Sequence, residues 1–125
     1  MSWTIRLPWT TPPLSANDRD HWRVKAKKVA EVRRTVGDLV AVQTFTAYPF
    51  PLYAEHVTVT LTYYPRDRRR RDADNLVPTL KAACDGLVDA RVVRDDTPDL
   101  MTKHMPVIAE PDGDPRLVLT LREVP

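Results

Sequence analysis

The chain has 125 residues, a formal net charge of +2, and 42% hydrophobic and 29% charged residues, a composition typical of a soluble globular protein. This length suits one core, so we expect a single domain over residues 1–125. There is no apolar run of the roughly 18 residues that a membrane span needs and no apolar signal-peptide segment at the N-terminus, which predicts a cytoplasmic protein without a membrane partner. One cysteine, Cys84, excludes an intrachain disulfide and a cysteine-based metal site.

The first part of the chain predicts a strand, a loop and a long helix. Residues 2–7 alternate apolar and polar side chains, as in a half-buried strand. The proline-rich segment that follows ends in polar residues suited to cap a helix. From about Arg19 to Gln43, apolar residues recur every three or four positions, which indicates one amphipathic helix with Trp22 on its buried stripe.

The second part predicts three strands and a shorter helix. Residues 56–65 alternate valine, leucine and tyrosine with threonine, the clearest strand pattern in the sequence. A helix is expected over 76–89, with Pro78 in its first turn and Asn75 as its N-cap. A short strand or turn leads to Asp95 and Asp96, and two strands follow over 100–109 and 115–124, joined by an Asp-Gly turn. The order β-α-β-α-β-β predicts a small α/β domain with a mixed sheet.

The segment between the second strand and the second helix carries charges of both signs. Five arginines within residues 66–71 precede Asp72, Asp74 and Asn75. In an extended segment, Asp72 and Asp74 would point to the same side, and a divalent cation such as Mg²⁺ would relieve their repulsion. The alternative is a solvated loop in which the aspartates only cap the helix.

Residues elsewhere in the sequence could complete such a site. A third carboxylate is available from Asp95 or Asp96. Lys81 lies seven residues beyond Asp74, about 10 Å along a helix, so its ammonium group could approach the carboxylates; the alternative is a solvent-facing lysine paired with Asp85. Phosphates would reach the metal past the neighbouring arginines, Arg66, Arg68, Arg69, Arg70 and Arg71, which predicts metal-dependent chemistry on a phosphodiester.

The stretch "RRRRDADNL…LKAACDGL…VVRDDTPDL" resembles the RusA family of Holliday-junction resolvases, endonucleases often carried by bacteriophages and prophages. The resemblance extends to "IRLPWTTPPLSANDRDHW" and to "KHMPV" with the closing strand, and so covers most of the chain. It implies a homodimer of small α/β subunits, in a bacterial or phage-infected cell, that cuts four-way DNA junctions symmetrically with Mg²⁺ or Mn²⁺ and no organic cofactor.

The resemblance also implies roles for individual residues. Asp72, Asp74 and Asp96 match the family's catalytic aspartates and metal ligands, and Asn75 matches the asparagine of the motif. Lys81 matches the essential lysine, although it stands about one helical turn further from Asp74 than in the best-known pattern. Candidate contacts to the DNA backbone are Arg68, Arg69, Arg70 and Arg71 in the loop, Asn75, and Arg23, Lys27 and Arg33 on the long helix.

Three other functions remain open on the sequence alone. One is a DNA-binding protein that keeps the fold without cleavage, and another is a nuclease for flaps, forks or single strands. A third is an arginine-rich interaction module, such as a phage assembly factor. Trp9, Trp22 and Tyr64 could stack on an opened base, although core packing is the expectation for Trp22. We expect Cys84 to be buried, and His21 and His104 to be structural or solvated.

Overall fold

Strand β2, Val57–Tyr64, lies in the middle of the sheet in a computed structural model that describes residues 1–124. Its alternating sequence places Val57, Val59, Leu61 and Tyr63 in the core, while the intervening threonines are half-buried on the other face. The other elements are β1 (Ser2–Arg6), α1 (Trp22–Gln43), a 3₁₀ helix (Ala73–Leu76), α2 (Val77–Asp89), β3 (Met101–Lys103), β4 (Val107–Ile108) and β5 (Arg116–Glu123).

The five strands form one mixed sheet in the order β1-β5-β2-β3, with β4 also paired to β2. β5 is antiparallel to both β1 and β2, whereas β3 and β4 run parallel to β2. The predicted small α/β domain with a mixed sheet is therefore confirmed. No helix within residues 1–124 is long and apolar enough to cross a membrane.

The two helices share one continuous hydrophobic core with the apolar face of the sheet. α1 contributes Val32, Val36 and Val40, and α2 contributes a stripe that includes Leu80 and Leu87. The helices approach closely at Gly86, where a Cβ atom would stand 2.7 Å from the carbonyl oxygen of Arg33. A side chain at this position would force the helices apart, so Gly86 belongs to the interface rather than to a helix end.

The proline-rich segment between β1 and α1 is fastened to α2. The buried hydroxyl of Thr79 donates a 2.7 Å hydrogen bond to the carbonyl of Leu14 and accepts one of 3.2 Å from its N–H. Two residues later, the N–H of Ala16 donates to the carbonyl of Asn75 at 3.3 Å. These bonds hold the segment against the start of α2.

Three details of the sequence-based prediction are wrong. Trp22 is the first residue of α1 and is 67% exposed, because the buried stripe begins only at Val32. Asn75 lies inside the 3₁₀ helix, and Leu76 is the N-cap of α2. The strand expected over 100–109 is split into β3 and β4 around Pro106, which has no N–H for the ladder. Of the short strand or turn predicted after α2, the structure has the turn, and Val92 and Val93 are fully buried in this segment.

Candidate functional site: a carboxylate and arginine cluster at the start of α2

The charged segment leaves the sheet at the end of β2 and enters α2 through the 3₁₀ helix. Asp72 has extended backbone angles and is the N-cap of the 3₁₀ helix, whereas Asp74 lies within that helix. The segment is therefore not extended through both aspartates, so the two-residue strand period on which the sequence-based expectation rested does not apply to them. Pro78 stands in the first turn of α2, as predicted.

Asp67 organises the arginine loop, residues 66–71. Its carboxylate accepts a hydrogen bond from the N–H of Arg69 at 3.1 Å and pairs with the guanidinium of Arg71 at 2.8 Å. The backbone hydrogen bond from Arg69 and then the hydrogen bond from Arg71 lower the pKa of Asp67 below its usual value. Arg71 also donates to the carbonyls of Asp67 and Arg69 and lies over the ring of Tyr63, 5.7 Å from its centroid. Arg71 therefore shapes the loop.

The other arginines of the loop face outward. Arg68 meets Glu110 at 3.2 Å, in a pair whose side chains are both 81% exposed. Arg69 approaches Asp67 at 3.7 Å, and Arg66 does so at 4.0 Å. Arg70 is exposed and has no hydrogen bond or ion pair within residues 1–124. Pairs this exposed are weak in water, so these cations are available to a polyanion.

Asp72 and Asp74 are exposed, and neither carboxylate has a hydrogen bond or ion pair in the part of the chain that the structure describes. Asp72 occupies an N-cap position, but its side chain makes no capping bond. The capping role considered for the sequence is therefore absent for Asp72. The neighbouring arginines pair with Asp67 and Glu110 instead, which leaves two carboxylates free beside a positively charged loop.

A cavity of about 240 Å³ connects this segment with the proline-rich segment. Asp72, Asn75 and Arg70 lie on one side of it, and Ser15 lies on the other. The N–H of Ala16, next to Ser15, donates to the carbonyl of Asn75 and so links the two segments beside the cavity. The two stretches that carry the family resemblance, residues 5–22 and 68–100, therefore meet at one place in the fold.

Asp96 lies in a separate cluster with two lysines. Lys103, the last residue of β3, donates a 2.6 Å hydrogen bond to Oδ2 of Asp96, and Nζ of Lys81 is 3.8 Å from the same oxygen. The hydrogen bond from Lys103, together with the charges of both lysines, lowers the pKa of Asp96 even though burial opposes this. Burial acts to lower the pKa of Lys103, but the hydrogen bond to Asp96 and the charge of Asp96 raise it overall.

We predicted that Lys81 approaches the carboxylates near Asp74. In the structure its ammonium group lies close to Asp96 instead. Asp95 has a different function, because its carboxylate accepts a 2.8 Å hydrogen bond from the N–H of Asp96. Lys103 and Asp67 are the two residues of this region that the sequence reasoning missed. Asp67 precedes the arginine run and so had a local signal, whereas Lys103 is seven residues from Asp96 and had none.

Asp72 and Asp74 are the two free carboxylates of this segment, and no third acid is grouped with them in the described residues. Among residues 1–124, no three histidine, cysteine, aspartate or glutamate side chains lie close enough together to hold a metal ion. Asp96 is held by the lysines and is not grouped with Asp72 and Asp74. Mg²⁺ commonly binds through one or two carboxylates and completes its shell with water and substrate phosphate, so two free aspartates provide suitable ligands.

The remaining candidate residues divide between the surface and the framework. Arg23 and Lys27 are exposed on α1, whereas Arg33 forms a bidentate pair with Asp89 of α2 at 2.9 and 3.0 Å. Cys84 is fully buried, and burial raises the pKa of its thiol to about 12, as expected for an inert structural cysteine.

The histidines and the other aromatic residues also differ in exposure. His21 caps α1 by accepting a hydrogen bond from the N–H of Arg23, and His104 is exposed. Trp9 packs against the core, and Tyr64 is covered by the guanidinium of Arg116, 3.7 Å from the ring centroid. Trp22 is therefore the most exposed of the three aromatic residues considered for base stacking.

Comparison with known proteins finds a similar protein of unknown role. An uncharacterized protein of Xylella fastidiosa (strain Temecula1 / ATCC 700964) is 27% identical over 92 residues, which are 74% of this chain and 60% of that protein. This chain thus spans about 60% of the length of that relative. No protein-family profile matches the chain.

Proposed function

We propose that the protein is a Mg²⁺-dependent endodeoxyribonuclease of the RusA type, which resolves four-way DNA junctions in the cytoplasm of a bacterial or phage-infected cell. One observation carries the proposal: Asp72 and Asp74 stay free of ion pairs within residues 1–124, although five arginines lie within the preceding six positions. The paired arginines of the loop use Asp67 and Glu110 as their partners, and not Asp72 or Asp74. Two carboxylates are left to bind a cation from solution.

The residues of the cluster have separate tasks in this mechanism. Asp72 and Asp74 bind Mg²⁺, with Mn²⁺ as a substitute, and Asn75 borders the cavity that would receive a phosphate. A bound Mg²⁺ supplies a Lewis acid for the scissile phosphate and lowers the pKa of an attacking water. Arg70 and Arg68 attract the DNA backbone, and Arg71 fixes the shape of the loop that presents them.

Lys81 and Asp96 act next to this centre. The ammonium group of Lys81 lies at an exposed edge of α2, where it would contact phosphate oxygens of the bound strand. Lys103 holds Asp96 in place through its hydrogen bond to the carboxylate. In this arrangement Asp96 positions Lys81, and it would hold a metal ion only if both lysines released it.

Cleavage of both continuous strands of a junction needs two active sites related by a two-fold axis. A homodimer supplies this symmetry, because each subunit contributes one cluster. The arginine loop and the exposed Arg23 and Lys27 of α1 would then contact the arms through phosphates, which sets affinity and salt dependence without reading the base sequence.

The test uses end-labelled synthetic four-way junctions with linear duplex and flap substrates as controls, with and without Mg²⁺. The wild type is compared with Asp74→Asn and with Asp38→Asn, which removes an exposed aspartate of α1 that has no ion pair within residues 1–124. We expect paired symmetric nicks on the junction from the wild type and from Asp38→Asn. Asp74→Asn should bind the junction and cut it at least about 100-fold more slowly.

Each result leads to a different conclusion. If flap or duplex is cut as fast as the junction, the proposed metal site stands and the proposed preference for junctions is wrong. Cleavage by Asp74→Asn at the rate of Asp38→Asn would exclude the proposed site. Junction binding without any cut in Mg²⁺ or Mn²⁺ would replace the proposal with the second candidate.

The second candidate function is a branched-DNA-binding protein without cleavage. It is favoured by one specific observation, the ion pairs of Asp96 with Lys103 and Lys81, which keep the third predicted ligand apart from Asp72 and Asp74. In such a protein the arginine loop would bind DNA in the same way, and Mg²⁺ would leave both the affinity and the DNA unchanged.

A further inference from the structure

Trp22 is exposed at a place where the sequence pattern predicted burial. It is the first residue of α1 and 67% of its surface is accessible, whereas Val32, Val36 and Val40 further along the helix are buried. The guanidinium of Arg23 lies 5.3 Å from the centroid of the indole ring, and the imidazole of His21 lies at 5.6 Å. The indole therefore presents a flat apolar surface between two side chains that can also stack.

The surroundings of Trp22 are positively charged. Residues 18–28 contain five basic and two acidic residues, and one of the acids, Asp20, is paired with Lys28 at 2.7 Å. Arg23 and Lys27 point into solvent on the first turns of the helix. An exposed aromatic ring among cations is complementary to a ligand with both flat rings and negative charge, as in a nucleic acid strand.

Trp22 is also connected to the candidate site by short, bonded steps. Ser15 lines the same cavity as Asp72, and Ala16 is hydrogen-bonded to Asn75. From there the backbone N–H of Ser15 donates to the carboxylate of Asp18 at 2.9 Å, and the Asp20–Lys28 pair fastens the loop to α1. These contacts connect the loop that precedes Trp22 to the segment that carries the carboxylates.

We propose that Trp22, with Arg23 beside it, forms a stacking platform for an unpaired base of branched or single-stranded DNA. The inference rests on the proposed function for its substrate, and it adds a contact that recognises open bases rather than phosphates. At the crossover of a junction, bases unstack more readily than in a continuous duplex, so such a contact favours branched over linear DNA.

The opposite end of α1 provides an internal control. Phe45 is 92% exposed and Tyr48 is 65% exposed, so the surface there is also aromatic. Residues 35–65 contain no lysine or arginine, however, and include Asp38 and Glu55. Helix α1 has 22 residues and is about 33 Å long, so the two aromatic surfaces are well separated and differ in charge.

The experiment measures DNA binding in EDTA, so that cleavage does not contribute. Trp22→Ala, Trp22→Phe and Phe45→Ala are compared with the wild type on a four-way junction, a single strand and a linear duplex, with heparin as a polyanion that has no bases. We expect Trp22→Ala to bind the single strand and the junction about tenfold more weakly, and the duplex and heparin within about twofold of wild type. Trp22→Phe keeps most of the affinity, and Phe45→Ala keeps all of it.

A second measurement observes the platform in the unmodified protein. Acrylamide should quench Trp22 readily, because Trp3 is buried and Trp9 is half-buried. Subtraction of the Trp22→Phe emission isolates the signal of Trp22. Added single-stranded DNA should protect this signal from acrylamide, whereas heparin should not. This readout does not depend on the stability of Trp22→Ala.

Two results would overturn the platform. One is unchanged binding of the single strand and junction by Trp22→Ala, and the other is an equal loss on duplex and heparin, which would make the surface a general polyanion site. Failure of the proposed function is a separate result, because it would appear as unaltered cleavage by Asp74→Asn. The proposed stacking of a base on Trp22 would then still apply to a DNA-binding protein without cleavage.

Discussion

Two short segments of this molecule place aspartates next to basic residues and leave them in opposite states. In residues 66–75, the arginines pair with Asp67 and Glu110, and Asp72 and Asp74 remain free. In residues 94–103, Asp96 is held by Lys103 and approached by Lys81, and its side chain is only 22% exposed. Both segments contain acidic and basic residues close together in the sequence. Of these aspartates, only Asp72 and Asp74 in the first segment are free to bind a ligand.

The difference arises from the backbone that carries the charges. The arginine loop curls around Asp67, so its strongest contacts lie within four residues of each other. Asp96 instead meets Lys103 at the end of β3 and Lys81 near the start of α2, two elements that are distant in sequence. A carboxylate that is satisfied by tertiary contacts contributes to the fold, and one that is left free is available for function.

The largest expected effect is a loss of cleavage on substitution of Asp72 that substitution of Asp67 does not match. Asp72→Asn should lower junction cleavage at least about 100-fold without changing the melting temperature, because the carboxylate has no partner within residues 1–124. Asp67→Asn should lower the melting temperature, because Arg69 and Arg71 lose their acceptor, while cleavage falls less. Thermal melting and cleavage rates on the same preparations check this. Equal loss of cleavage in both variants would erase the distinction.

The second effect concerns the pH dependence of stability. The pKa of Asp96 is lowered in the folded state, so its contribution is present above about pH 4 and is lost as the pH falls further. Lys103→Met removes the main hydrogen bond to Asp96 and should lower the free energy of unfolding at pH 7 by about 1 kcal/mol. Urea unfolding between pH 7 and pH 3 should show a weaker acid dependence in the variant than in the wild type.

Lys103 changes the pH dependence of stability at the alkaline end, in the opposite direction to Asp96 at the acid end. Its pKa is raised in the folded protein, so its contribution is present at neutral pH and is lost as the pH rises past about 10.4. Lys103→Met should therefore show a flatter stability profile at both ends of the pH range. Parallel profiles for variant and wild type would show that the Asp96–Lys103 pair does not stabilise the fold.

A smaller effect distinguishes two neighbouring arginines. Arg70→Ala should leave the melting temperature unchanged and reduce the slope of log affinity against log salt by about 1, because Arg70 is free to contact one phosphate. Arg71→Ala should lower the melting temperature, because it removes the bonds to Asp67 and the contact with Tyr63. Salt titrations of duplex binding measure the first change. A reversed outcome would mean that Arg71, not Arg70, reaches the DNA.

The smallest effect is expected from the exposed pair of Arg68 and Glu110. Glu110→Gln releases Arg68 and removes one negative charge, so DNA affinity at low salt should rise about twofold. Stability should not change, because both side chains are 81% exposed. Fluorescence anisotropy at 50 mM salt, with Glu55→Gln as a matched control, checks this. A fall in affinity would indicate that Glu110 orders Arg68 for binding.

Local patterns predicted the parts of the fold in which each residue depends on its neighbours in sequence. The alternation of β2 placed Val57, Val59 and Leu61 in the core, where each is fully buried. The limits of α2 were predicted within one residue, since Pro78 marks its first turn and an apolar stripe follows. The Asp-Gly turn was equally clear, and Gly113 has the positive φ of 86° that favours glycine.

The predictions that were wrong or missing depend on contacts between elements that are distant in sequence. Trp22 fits the helical period, but nothing in the sequence shows that the buried residues of α1 begin only at Val32. The pair of Lys103 with Asp96 needs the register of β3 on β2. Asp72, Asp74 and Lys81 were identified as candidates from spacing, whereas the grouping of Lys81 with Asp96 required the fold.

The two hydrogen bonds of Thr79 with Leu14 have a consequence for the cost of binding. Segments that order only on contact with a ligand give up part of their affinity as conformational entropy. Here the proline-rich segment is already fixed by a buried hydroxyl that both donates and accepts, and proline further limits its backbone. Amide exchange at Leu14 should therefore be as slow as in the core, and DNA would meet a surface whose shape exists before it arrives.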